Sequence, residues 1–148
     1  MDRIANNESL VICAILDALV CDVNQMAKLY LIVVMSVDRA IRNRVERYSS
    51  YNDMVRAESG FDRALNRKFI EMQLVFLNAM TMLMLSGKIE KQEKNRLDLT
   101  SDGAKMAFDF QNIEGIVVEE VKSAVIVLCE LCKGKDDKSL YADLKIVL

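Results

Sequence analysis

Apolar positions along this chain fall into runs of helical spacing, separated by short polar clusters. The first run, Leu10 to Cys21 (LVICAILDALVC), has Asn7 ahead of it as an N-cap and Glu8 favourably placed in the first turn. It carries Asp17 and spans 12 residues, against the ~20 that a membrane helix needs, so it predicts a core helix. Asp22-Val-Asn-Gln25 breaks it. Lys28–Val37 (KLYLIVVMSV) has the β-branched content of a strand, but it continues without a breaker into DRAIRNRVERY. There Ile41, Val45 and Tyr48 keep helical spacing, and one continuous helix is predicted. After the turn cluster Ser49–Asp53, a short helix from Tyr51 to Glu58 stops at Ser59-Gly60. Phe61, Leu65 and Phe69 then share one helical face, with Arg63, Arg67 and Lys68 opposite.

Gln73–Ser86 (QLVFLNAMTMLMLS) is the most apolar helix of all, and Gly87 suits the position just past its end. Lys88–Glu90 and Arg96–Leu99 pair as short strands around Lys91–Asn95, with half-buried alternation in Leu97-Asp-Leu99. Thr100 caps the next helix, SDGAKMAFDF, which has Asp102 in its first turn. Ile116/Val117, Val121, Ala124/Val125, Leu128 and Leu131/Cys132 mark a long helix ended by Gly134. The tail holds a helical turn and an apolar end, Ile146–Leu148, that is expected to dock. The fold class predicted is a mainly α single domain over residues 1–148. N-terminal helices occupy 1–60, a winged helix-turn-helix-like element with one β-hairpin wing 61–110, and a C-terminal helix with docked tail 111–148.

Composition agrees: proline is absent and glycine numbers five, so few breakers interrupt the helices. Hydrophobic residues reach 52% while charged residues stay near average at 28%. Segregated faces follow, with more apolar surface than one small core hides, part of it meant for a partner. The net charge of −2 supplies no global positive field to gather nucleic acid. With no secretory signal and no disulfide framework, the chain reads as cytoplasmic.

No phosphate-cradling GxxxxGK[ST] loop is present, and the absence of histidine removes the usual general base and the Ser-His and Cys-His couples. Cys129 and Cys132 form a Cys-x-x-Cys, but structural zinc needs four ligands and no second pair or histidine exists. Together with Cys13 and Cys21 they read as buried, reduced thiols acting as small hydrophobes. A non-enzymatic chain without metal or cofactor is expected.

The second helix of a helix-turn-helix reads bases in the major groove. Here that helix is Gln73–Ser86, which contains no lysine or arginine. A helix apolar all round belongs in its own core or against another chain, so sequence-specific readout is not expected. Arg39, Arg42, Arg44 and Arg47 begin a basic stretch that could meet phosphates regardless of sequence. The same stretch also fits a solvated face of i,i+4 pairs.

The order FDRALNRKF, an apolar helix with Asn78-Ala79, then Leu83-Met-Leu-Ser-Gly-Lys-Ile89, a hairpin and Leu99-Thr-Ser-Asp-Gly103, followed by AVIVLCELCKG and DKSLYADLKIVL, carries a resemblance. From about Leu10 to Leu148 the chain resembles the middle components of bacterial ABC three-component systems, including the Lamassu-type defence systems. One departure is Lys145, where a glycine is expected. The resemblance implies an antiviral-defence accessory subunit similar to the KITE subunits of SMC complexes. Such a subunit binds a coiled-coil, SMC-like ATPase and couples it to an effector, often a nuclease, touching DNA only through the complex. It implies no catalytic residues. Arg63, Asn66 and Arg67 on the polar side of the Phe61–Phe69 helix, and Tyr141 and Leu144 in the tail, are the candidate partner-binding residues. A winged-helix transcriptional regulator, which would act as a symmetric dimer, is the alternative.

Overall fold

The structure, a computed structural model, describes residues 2–60 and 63–146, with side chains from residue 8 onward. Among the described residues it holds nine α-helices and one antiparallel hairpin. α1 spans Asp2–Val20, α2 Met26–Val37, α3 Arg39–Val45, α4 Tyr51–Glu58, α5 Ala64–Glu71 and α6 Gln73–Leu85. Strands β1 (Ile89–Lys91) and β2 (Leu97–Leu99) follow, then α7 (Ser101–Gln111), α8 (Ile116–Leu131) and α9 (Asp137–Asp143).

The centre is α1 with α2. Every residue of Leu29–Val37 and of Val11–Leu19 is buried, including Asp17 and Ser36. α8 packs on both helices, α6 and α7 lie on α1, and α3, α5 and α9 lie on α2. Aromatic rings fasten the outer elements. Tyr30 of α2 stacks obliquely on Phe69 (4.4 Å) and Phe76 (4.6 Å), and Tyr141 of α9 meets Phe69 edge-on at 5.4 Å.

Two boundaries differ from the sequence reading. α1 passes through Asn7, so the helix starts upstream of the expected cap position. The helix expected from Lys28 through Tyr48 breaks at Asp38, whose backbone is extended and whose carboxylate accepts the Ile41 N–H at 3.1 Å. Asp38 thus caps α3. Apolar spacing gives no sign of the break because Ile41 and Val45 are buried on both readings.

The remaining elements follow the sequence closely. Ser50 caps α4, Thr100 caps α7, and Gly87 and Gly134 take the positive φ values, +73° and +77°, that let α6 and α8 end. In the hairpin Ile89 pairs with Leu99, and Leu97 N–H donates to the Asn24 carbonyl at 2.8 Å, tying β2 to the α1–α2 turn. Gly103 has a specific reason to be glycine. A Cβ there would lie 1.8 Å from the Lys88 carbonyl oxygen, so only a bare Cα lets α7 sit on the hairpin. Lys145, at the expected glycine position, adopts φ +55° beyond α9. Ile146 packs on the core as expected of the tail, whereas Val147 and Leu148, like Phe61, lie outside the described residues.

Candidate protein-docking face

α6, expected to lie in its own core or against another chain, has a two-sided environment. Phe76, Ala79, Met80 and Leu83 face the core at 3% exposure or less, and Val75 packs at its edge. On the other side Leu74, Leu77, Thr81, Met84 and Leu85 recur at three-to-four spacing. Leu74 is 69% exposed, Leu77 50% and Leu85 85%. The cause is simple: α6 is a peripheral helix packed mainly on α1, with α5 and β1 at its margins and Phe76 against Tyr30 of α2. Ile70, in the last turn of α5, is 67% exposed and extends the surface across Met72. Thr81 directs its hydroxyl back to the Leu77 carbonyl at 2.8 Å, which lowers even its polarity.

The outward face therefore carries large apolar side chains and no charged group from α6 itself. Cations stand nearby on α5, where Arg67 is 70% exposed in its side chain but lies 3.9 Å from Glu71. Below the face, Met26, Tyr30, Phe69, Phe76, Leu77 and Tyr141 line a cavity of about 270 Å³. A second apolar surface, which sequence periodicity did not single out, gathers at the α7–α8 corner. It comprises Phe108, Ile113, Ile116 and Val117, all at least 44% exposed. The signal available was that Ile116 and Val117 start their helix, ahead of the first position that packs.

Of the candidate partner-binding residues, only Arg63 and Arg67 are exposed. Asn66 is buried, and its amide donates to the Gly60 and Lys145 carbonyls at 2.8 and 3.0 Å. It is an internal tie between α5 and the tail. Leu144 is fully buried in the core. Tyr141 is half-buried and its hydroxyl donates to the Ala27 carbonyl at 2.6 Å, which holds α9 on α2. These three residues look like surface in the sequence because the tail's docking is a long-range event.

The arginine stretch divides in the same way. Arg39 and Arg47 point to solvent. Arg42 is 6% exposed, donates through Nη1 to the Ser36 and Val37 carbonyls at the end of α2, and pairs with Glu120 of α8 at 3.4 Å. Arg44 forms a two-bond pair with buried Glu58 at 2.8 and 3.0 Å, and Glu58 also accepts the Tyr48 hydroxyl. The hydrogen bond to Glu58 raises the pKa of Arg44, and burial, followed by the bond to Glu58, raises that of Tyr48. Arg42 and Arg44 thus join elements of the fold, and the continuous phosphate-facing stripe is not formed.

Among the described residues, no group of three or more Cys, Asp or Glu side chains could hold a metal ion. Burial raises the pKa of Asp17 to about 6, opposed by Lys122 of α8. Asp17 is 8% exposed, and the shift bears on stability.

Fold and surface together define a mainly helical domain with a small hairpin and an outward apolar helix face. No protein-family model, curated protein or solved structure matches the chain. No single helix among the described residues is long and apolar enough to cross a membrane. α5 and α6 together have the length and composition, but they are bent by 48° and bury one face in the domain.

Proposed function

We propose that this chain is a non-catalytic accessory subunit that binds a partner protein through the outward face of α6. In the arrangement suggested by its resemblance to three-component defence systems, the partner is an SMC-like coiled-coil ATPase. The subunit couples that ATPase to an effector nuclease, and its α5–α6–hairpin unit acts as a winged-helix element. The observation that carries the reading is that the face is apolar and free of charge. Burying each such side chain against another protein contributes about 1.5–3 kcal/mol, whereas a phosphate backbone offers it nothing.

Co-expression with the products of the neighbouring genes tests the proposal. Leu74→Asp with Leu85→Asp, both at exposed positions, is expected to abolish a complex that the unaltered chain forms, while leaving its helical circular dichroism unchanged. Reversing Arg63 and Arg67 to Glu should weaken assembly less. Assembly untouched by the leucine substitutions would overturn the assignment of the face.

One observation favours the alternative, a DNA-binding regulator: α6 is turned outward, as a reading helix must be. That helix nevertheless offers bases only Gln73, Asn78 and Thr81, with no lysine or arginine. Sequence-selective duplex binding by the isolated chain at physiological salt would reverse the ranking.

A further inference from the structure

The Cys-x-x-Cys of α8 directs attention to Cys129 and Cys132, but the structure brings Cys129 to a different thiol. Cys21, immediately after α1, is exposed, and its thiol lies close enough to that of Cys129, 108 positions further along the chain, for each to perturb the other. Both line a cleft of about 420 Å³ between the end of α1 and α8, with Lys28 and Glu130 at its walls. Cys132, by contrast, is fully buried, as is most of Cys13. Nothing in the core requires two thiols to meet at a solvent-facing cleft.

We propose that Cys21 and Cys129 form an oxidisable dithiol site that takes a small-molecule disulfide as co-reactant and closes to an intramolecular disulfide. The exposed Cys21 thiolate attacks one sulfur of the small disulfide, forming a mixed disulfide and releasing one thiolate. Cys129 then loses its proton to water and attacks the Cys21 sulfur, expelling the second thiolate. Both released thiolates take up protons. The protein loses two electrons and two protons, and the small disulfide becomes two thiols. The new bond ties the end of α1 to α8 across most of the chain, restricting the unfolded state.

The surroundings set the rate. Cys21 faces Asp17 of α1, Asp22 of the following turn, and Glu130 and Cys129 of α8. Burial of the thiol raises its pKa, the Cys129 thiol partly offsets that, and Asp17, Asp22 and Glu130 raise it further. Cys129 faces Cys21, Cys132 and Lys28 of α2, and burial dominates in raising it. The thiolate fraction near neutral pH is therefore small. Ring closure is slow there and accelerates by up to about tenfold per pH unit while Cys21 remains below its pKa.

The test is incubation of the full-length chain with excess oxidised glutathione under native conditions, followed by non-reducing peptide mapping. The expected product has lost two of its four free thiols, yields a Cys21–Cys129 cross-linked peptide, and carries no glutathione at the end point. Its melting temperature should rise by several degrees and return on reduction. Cys21→Ser, at an exposed position that does not threaten the core, should prevent both the cross-link and the shift. A stable glutathione adduct on Cys21 with Cys129 still free, or a Cys129–Cys132 link in place of the expected one, would overturn the proposal. So would four thiols that survive prolonged oxidation.

Discussion

α2 and α6 are both almost devoid of charge and of similar length, 12 and 13 residues, yet the fold places them oppositely. α2 is enclosed by α1, α8, α3, α5 and α9, and its residues from Leu29 to Val37 are all buried. α6 has neighbours along one side only, and Leu74, Leu77 and Leu85 stand in solvent. Composition alone predicts burial for each. The difference shows that an apolar helix reports a requirement for cover, and that the cover can come from the same chain or from another. A β-branched helix at the centre of the fold receives it from elements folded around it. A leucine- and methionine-rich helix at the edge is left with an unmet demand, which is the physical content of the proposed docking role.

Several substitutions break or sharpen that contrast. Leu31→Asp puts an unpaired carboxylate in the fully buried centre of α2 and is expected to abolish folding, seen as loss of the cooperative denaturant transition. Leu74→Asp on α6 should leave the transition within about 0.5 kcal/mol. Equal sensitivity at both positions would mean that α6 is covered in the isolated chain. Gly103→Ala probes the hairpin that holds the far end of α6. The 1.8 Å approach to the Lys88 carbonyl is expected to cost about 3 kcal/mol, read as a lowered denaturant midpoint.

Asp17 supplies a pH dependence inside the core that α6 lacks. Its pKa is raised from 3.8 to about 6 in the folded chain, so the native state binds the proton more tightly than the unfolded state does. Its stabilising contribution is complete below about pH 4 and lost as pH rises through about 6, about 3 kcal/mol in all. Asp17→Asn should flatten that part of the stability–pH profile, and an unchanged slope would show that the carboxylate is not responsible. Thr100→Ala should cost about 1 kcal/mol by removing the cap from Gly103 N–H, measured in the same way. The smallest effect belongs to Lys145→Gly. Its left-handed backbone at φ +55° should become easier, raising stability by up to about 1 kcal/mol while the Lys145 carbonyl still accepts from Asn66.

Most of the secondary structure was legible because it rests on neighbours in the chain. Thr100, Gly87 and Gly134 cap or end helices through bonds spanning a few residues, and Leu97-Asp-Leu99 alternates where β2 forms. The candidate site was legible only in outline. Arg63 and Arg67 were correctly read as surface, while Asn66, Tyr141, Leu144 and Arg42 were read as outward although they join elements of the fold. Their partners, Lys145, Ala27 and Glu120 among them, mostly lie many tens of residues away, beyond the reach of any local pattern.

By itself, then, the sequence determined where most helices start and stop, that one hairpin follows the longest uncharged apolar stretch, and that apolar surface is in surplus. These are local matters of backbone geometry, caps and side-chain periodicity. The tertiary structure alone decided which apolar helix is central and which is left half bare. It also decided which arginines are spent on carbonyls and carboxylates, and that Cys129 meets Cys21 in preference to its neighbour Cys132. Those outcomes depend on how many elements surround each helix, a property set by packing in three dimensions.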